Sequence, residues 1–131
     1  MYFSAILITG GYNGDYLKSA EMFLPSSNTT CSLPQLPEGR YDHTQDGGPG
    51  LACGGPFSST WNSCDRWIVG TWTRTSHTLR EKRGDHLSWS TAEGVFLIGG
   101  WDSLGWDGMT SELVKEDGSV EEGFALKYNT R

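Results

Sequence analysis

The sequence contains no apolar run approaching the ~20 residues needed to span a bilayer as a helix. Nor does any stretch sustain apolar residues at i, i+3, i+4 and i+7 beyond about two turns, which argues against a helical protein. Basic clusters are absent as well: 10 Lys and Arg stand against 16 Asp and Glu, for a formal net charge of -6. Such a chain repels phosphate backbones, so nucleic acid is not an expected partner. There is no Cys-x-x-Cys pair, no His-Glu-x-x-His, no phosphate-cradling loop and no nucleophile elbow. Asp102, Asp107, Glu116 and Asp117 do not follow the spacing of an EF-hand. No metal and no cofactor are expected. The opening stretch Met1 to Ile8 lacks a basic flank and a small-residue cleavage site, and reads as a strand rather than a signal peptide.

What the sequence does hold is glycine, 18 residues, and tryptophan, 6 residues, in a chain of 131. Glycine-rich turns between short β-branched or aromatic runs point to an all-β fold. The length suits one ordinary domain with a core of its own. The 3 cysteines are an odd number. Cys53 and Cys64 lie eleven positions apart, a separation that could set them opposite one another on adjacent antiparallel strands, leaving Cys31 over. In a reducing compartment all of them would instead be small buried residues. Asn28-Thr29-Thr30 forms a glycosylation sequon, meaningful in a secreted protein. The two features together favour an extracellular or secreted location.

A repeat runs through the chain, the first thing to seek in such a composition. Glycine pairs occur at 10–11, 54–55 and 99–100, in steps of 44 and 45. Each closes an apolar run: Ala5 to Thr9, Gly50 to Cys53, Val95 to Ile98. Arg40-Tyr41-Asp42-His43 recurs after 43 residues as Arg83-Gly84-Asp85-His86, and Leu36 and Leu79 stand four residues before the arginines. Beyond each glycine pair lies an acidic residue in an apolar setting, Glu21, Asp65 and Glu112, in steps of 44 and 47. Three features on one period define units at 1–40, 41–83 and 84–131.

Each unit resolves into short strands a to d. Strand a follows Arg-x-x-His (43–46 and 86–91), strand b ends at the glycine pair, and strand c carries the acidic residue. Strand d is outermost, at 29–33, 72–77 and 122–127. Asp117-Gly118 supplies a hairpin turn between c and d, with Gly70 in the same place one unit earlier. Since the first unit begins at strand b, the count is eleven strands. Four antiparallel strands in about 45 residues, repeated, is the pattern of propeller blades.

The apolar run with its double glycine, the acidic strand c, Trp72 and the Arg-x-x-His element together resemble the kelch repeat, over essentially the whole chain. The likeness is greatest to secreted-type kelch proteins of invertebrates. It implies a kelch-type β-propeller of three four-stranded antiparallel blades in an incomplete ring. The pattern departs at Thr29, where the second unit has Trp72, and at Pro56, where Tyr12 and Trp101 provide an aromatic. A kelch-type copper oxidase needs a tyrosine joined to a cysteine plus histidine ligands, and nothing marks that arrangement here.

Blade strands are covered on both faces, which accounts for continuous apolar runs. The glycine pairs are expected where a Cβ would collide or where φ must be positive. The acidic residues of strand c are expected to accept hydrogen bonds from an arginine or backbone, since buried charges persist only when paired. Recurrence of Arg40, Arg83, His43 and His86 in each unit argues for a structural duty, because catalysis needs different groups in different roles. His77 reads as a half-exposed strand residue.

The b–c and d–a loops would share one face. Their aromatics beside charges suit a binding surface: Tyr12, Asp15, Tyr16, Phe57, Trp61, Trp101, Asp102, Trp106 and Asp107, flanked by Arg40 and Arg83. Asn28 falls on the opposite side, where a glycan would leave that face free. The leading function is therefore a scaffold for a protein or glycan ligand, with no catalytic site and no membrane insertion. The alternatives are an enzyme with a site in the central channel and an intracellular kelch-type adaptor. Propellers need about four to eight blades, so the ring is completed either by further blades of a longer chain or by a second copy. In the second case residues 1–4 would improvise the missing strand.

Overall fold

The structure, a computed structural model, describes residues 5–46, 50–55, 61–101 and 110–127. Among them are eleven strands and no helix. β1 (Ile6–Thr9), β2 (Ala20–Leu24) and β3 (Thr29–Leu33) form the first sheet. β4 (Thr44–Asp46), β5 (Leu51–Cys53), β6 (Cys64–Ile68) and β7 (Thr71–Arg74) form the second. β8 (Leu87–Thr91), β9 (Gly94–Ile98), β10 (Thr110–Val114) and β11 (Val120–Ala125) form the third. Every pairing is antiparallel between strands consecutive in the chain. The first sheet has three strands where the others have four, and no sheet closes on itself among the described residues.

The strands fall where the glycine pairs and acidic residues put them, with shifts at two outer strands. β7 ends at Arg74, and the chain bends just beyond, at Ser76 and His77, where the Thr75 hydroxyl is shared between the carbonyls of Cys64 and His77. His77 is consequently exposed beyond the strand. β11 starts at Val120, earlier than expected, because the turn is compact. Gly118 N donates to Lys115 O, and Asp117 accepts from the backbone and hydroxyl of Ser119. Gly118 takes a φ of 87° there.

Side-chain alternation gives each sheet two faces. Leu7 and Leu33, on one face of the first sheet, pack with Ala20 and Leu36 against Ala52, Trp67 and Trp72 of the second unit. The reverse of the second sheet places Leu51, Cys53 and Cys64 with Leu79 against Val95, Leu97 and Val114 of the third. Sheets are thus stacked face to face through two apolar seams. Leu36 and Leu79 each close one seam, held by bonds from their backbone N–H to Lys18 O and Asn62 O, both 2.8 Å. Burying a side chain such as Leu97, fully inaccessible, contributes roughly 2–3 kcal/mol. Along one edge of the stack, β4 lies beside β8 and β1 beside β4.

Cys53 and Cys64 face each other across β5 and β6 and form a disulfide, with Cα atoms 4.2 Å apart. Cys31 is free and exposed. The double glycine has a steric cause. A Cβ on Gly54, whose φ is +76°, would lie 2.5 Å from the carbonyl oxygen of Arg83. Its neighbour Gly55 donates its N–H to that same oxygen over 2.8 Å. Strand b can meet the following loop this closely only without a side chain.

Candidate loop-face site

The loop after strand b and the loop after strand d come together at one end of each sheet. Gly11 N donates to Arg40 O and Gly55 N to Arg83 O, so the two kinds of loop are bonded at the same place in successive units. Gly84 pairs with Trp101, and Asp85 N donates to Asp42 O over 2.7 Å, linking one d–a loop to the next. Turns between c and d lie at the other end.

Arg40 and Arg83, expected beside the ligand, are placed within the wall of the stack. Their exposures are 0% and 1%. Arg40 donates to Asp65 Oδ2 from Nε (3.0 Å) and Nη2 (2.9 Å), and from Nη1 to the carbonyls of Gly54 (2.7 Å) and Ser63 (3.0 Å). Arg83 repeats the network on Glu112 Oε2 (2.7 Å), Gly99 O (2.7 Å) and Thr110 O (3.0 Å). Each arginine therefore leaves the loop that ends one unit and ties together strands b and c of the next. Burial lowers the Arg40 pKa and the Asp65 carboxylate opposes that, a pairing that suits a planar guanidinium always charged at neutral pH. The acidic residues of strand c have the expected role in the second and third sheets. In the first, Glu21 is exposed.

The histidines are also internal. His43 Nε2 is 2.9 Å from Thr9 Oγ1, and His86 Nε2 is 2.7 Å from Thr44 Oγ1, each joining one sheet to the sheet before it. Burial first and the neighbouring arginine second lower their pKa values to about 4 and about 3, so both are neutral at physiological pH. A neutral imidazole locked to a threonine suits a strut between sheets.

Aromatics from the same loops form two clusters on the rim. Tyr16 stacks on Tyr41 with centroids 5.1 Å apart and planes at 16°, and Tyr12 leans on both at 6.1 and 5.3 Å. Tyr12 keeps 63% of its surface in solvent. Desolvation, then the neighbouring Tyr16 and Asp42, raise the Tyr41 phenol above its ordinary pKa. Asp15 is exposed beside them and its carboxylate accepts the N–H of Tyr16 at 2.8 Å. Trp61 and Trp101, from successive b–c loops, meet edge to face at 5.6 Å, with Lys82 Nζ 5.5 Å from the Trp61 ring centroid. Phe57, Asp102, Trp106 and Asp107 lie outside the described residues.

The structure thus groups Tyr12, Asp15 and Tyr16 in one cluster and Trp61 with Trp101 in another. Tyr41 and Lys82 join them without having been singled out from the sequence. Tyr41 follows Arg40 directly and Lys82 precedes Arg83, so adjacency to the repeated arginine was the available signal. Asn28 sits exposed in the turn between β2 and β3 with a φ of 52°, at the other end of the sheet. A cleft of about 320 Å³ opens between the second and third sheets, lined by Arg66, Trp67, Thr91, Glu93 and Glu116 among others. No residue of the two aromatic clusters borders it.

No protein-family model matches the chain, and no curated protein matches it either.

Proposed function

We infer that the chain is a run of kelch-type propeller blades serving as a scaffold that binds a protein or glycan ligand on its loop face. The observation that carries this reading is the convergence of Tyr12, Tyr16 and Tyr41, and of Trp61 with Trp101, on one rim. Exposed Tyr12 and the half-buried rings beside it, with nearby carboxylates and a lysine, match sugar rings and protein hot spots alike. The blade reading is supported by three antiparallel sheets of consecutive strands stacked through apolar faces, with strand a of the second sheet, β4, beside strand a of the third, β8. It is supported too by the repeated Arg–acid and His–Thr ties between successive units. Catalysis is disfavoured because both arginines are committed to the wall, and His86 (buried) and His43 (half-buried) are both neutral and bonded to threonines. The disulfide and the exposed sequon at Asn28 favour an extracellular setting.

The test is a screen of the labelled chain on arrays of immobilised glycans and extracellular proteins, repeated with Tyr16→Ala and Trp61→Ala. Binding should fall about tenfold or more in at least one variant, the usual cost of losing an aromatic hot spot, while thermal unfolding of the array sample confirms folding. A bound partner held equally well by both variants would refute the loop face. A glycan present at Asn28 should leave that binding intact.

A further inference from the structure

The residue that follows the acid on strand c differs in kind between the repeats. It is Met22 in the first, Arg66 in the second and Leu113 in the third. Arg66 lies in one cross-strand row with Leu51 and Thr73, and Leu51 belongs to the seam between the second and third sheets. An arginine thus occupies a place that apolar side chains take in the other two units, and it is only 9% exposed. A guanidinium so deeply placed is costly unless it is paired. The other two buried arginines are paired, Arg40 with Asp65 and Arg83 with Glu112. Arg66 makes no ion pair among the described residues. Its Nη2 donates to Lys115 O over 3.0 Å and its Nη1 to Glu116 O, which pins the turn after β10. Its Nε is buried without a hydrogen-bond partner. A guanidinium carries five N–H donors, so two carbonyls leave both its charge and most of its donors unmatched.

Arg66 borders the cleft of about 320 Å³ between these sheets, at the end of the stack that carries the c–d turns. Trp67, Val95 and Val114 give that cleft an apolar side. Glu93 and Glu116 also line it, both exposed, and neither carboxylate is hydrogen-bonded or ion-paired among the described residues. Lys115, beside Glu116 in the turn, is ion-paired to Glu121 instead. The site is therefore of mixed sign, with one buried cation and two accessible carboxylates around an apolar wall. A simple anion would meet the carboxylates, and a simple cation would meet the guanidinium. A ligand bearing both charges answers both. The volume stands at the small end of ligand sites and suits a single small molecule.

We propose that this cleft binds a small zwitterion of the α-amino-acid class with an apolar side chain. The ligand carboxylate lies against the Arg66 guanidinium, its ammonium group against Glu93 and Glu116, and its side chain against Trp67, Val95 and Val114. No residue of either aromatic cluster borders the cleft, so this site and the loop face are independent of each other.

The experiment titrates the whole chain with leucine, N-acetylleucine and leucinamide, followed by calorimetry and by the NMR signal of the Arg66 Nε–H. Leucine should bind saturably and move that signal. The two derivatives, each lacking one charge, should bind about tenfold or more weakly, the usual effect of losing a charge-assisted hydrogen bond. Arg66→Met should lose the preference for leucine over leucinamide, a change of selectivity that release of the turn alone does not produce. Glu93→Gln with Glu116→Gln alters exposed positions only, and keeps the test open should Arg66→Met fail to fold. That pair should lose the preference for leucine over N-acetylleucine. Tyr16→Ala and Trp61→Ala should leave leucine binding unchanged. Absence of saturable leucine binding, equal affinity for all three compounds, or selectivity indifferent to the substitutions would overturn the proposal and leave Arg66 as a clamp on the turn. Leucine binding lost in Tyr16→Ala would place the ligand on the loop face and overturn it equally.

Discussion

Arg83 reaches from the end of the second unit into the third sheet, where its Nε lies 2.7 Å from Glu112 Oε2 with both side chains 2% exposed. Removing one partner of such a pair leaves a buried charge without compensation, at a cost of roughly 3–5 kcal/mol. Arg83→Ala and Glu112→Ala should each show that loss in urea unfolding. Arg83→Lys should recover little, because an ammonium cannot span the carboxylate and two carbonyls together. Replacing both by Met should be milder than either single change. Singles as mild as surface substitutions would show that the pair contributes no stability.

Acid should weaken the fold through the struts between sheets. A histidine whose folded pKa is depressed binds its proton more readily when unfolded, so its stabilisation is complete above pH 6.5. It declines as pH falls from 6.5 to about 4 for His43 and to about 3 for His86. Each should remove roughly 1–1.5 kcal/mol per pH unit across that window. Denaturation midpoints at pH 7, 6 and 5 should fall for the native chain. They should fall less steeply for His43→Gln with His86→Gln. Equal slopes in both proteins would disprove the assignment.

Most strands were legible because their boundaries are set by local chemistry. The glycine pairs mark the ends of β1, β5 and β9, and β3 occupies the expected residues 29–33. The direction of the arginines was not legible. A sequence shows that Arg40 and Arg83 recur in a loop, a natural place for ligand contacts, but their reach into the following sheet depends on how sheets stack. The aromatic clusters were half legible. Tyr12, Tyr16, Trp61 and Trp101 stood out as loop aromatics, whereas Tyr41 and Lys82 join them only through contacts between loops of different repeats.

Cysteine chemistry should separate cleanly in the native protein. The thiol of exposed Cys31 should react at once with a maleimide, while the Cys53–Cys64 bond, 1% exposed at both ends, resists reductant until the protein unfolds. Closing this short loop should contribute about 2–3 kcal/mol, lost in Cys53→Ala with Cys64→Ala. Two or more thiols titrating in the native oxidised protein would contradict the pairing.

Val69 carries an avoidable strain. It is 97% exposed at a φ of 46° in the β6–β7 turn, followed by Gly70 at 83°. A β-branched residue is poorly suited to that conformation, whereas Asn-Gly is favoured in such turns. Val69→Asn should stabilise the protein by about 1 kcal/mol, raising Tm by several degrees. An unchanged or lower Tm would refute the strain.

Among the described residues the two buried carboxylates, Asp65 and Glu112, each accept from an arginine of the preceding repeat, Asp65 from Arg74 of its own sheet as well, so the module that keeps these pairs whole begins at the arginine and not at the first strand. It runs from one arginine to just before the next and encloses one whole sheet, as residues 40–82 enclose β4 to β7. Duplication or deletion in that phase keeps these pairs matched, while a cut between Arg83 and β8 parts Glu112 from its guanidinium, and one between Arg40 and β4 leaves Asp65 with Arg74 alone. Whole-repeat grafts should therefore be spliced immediately ahead of Arg40 or Arg83.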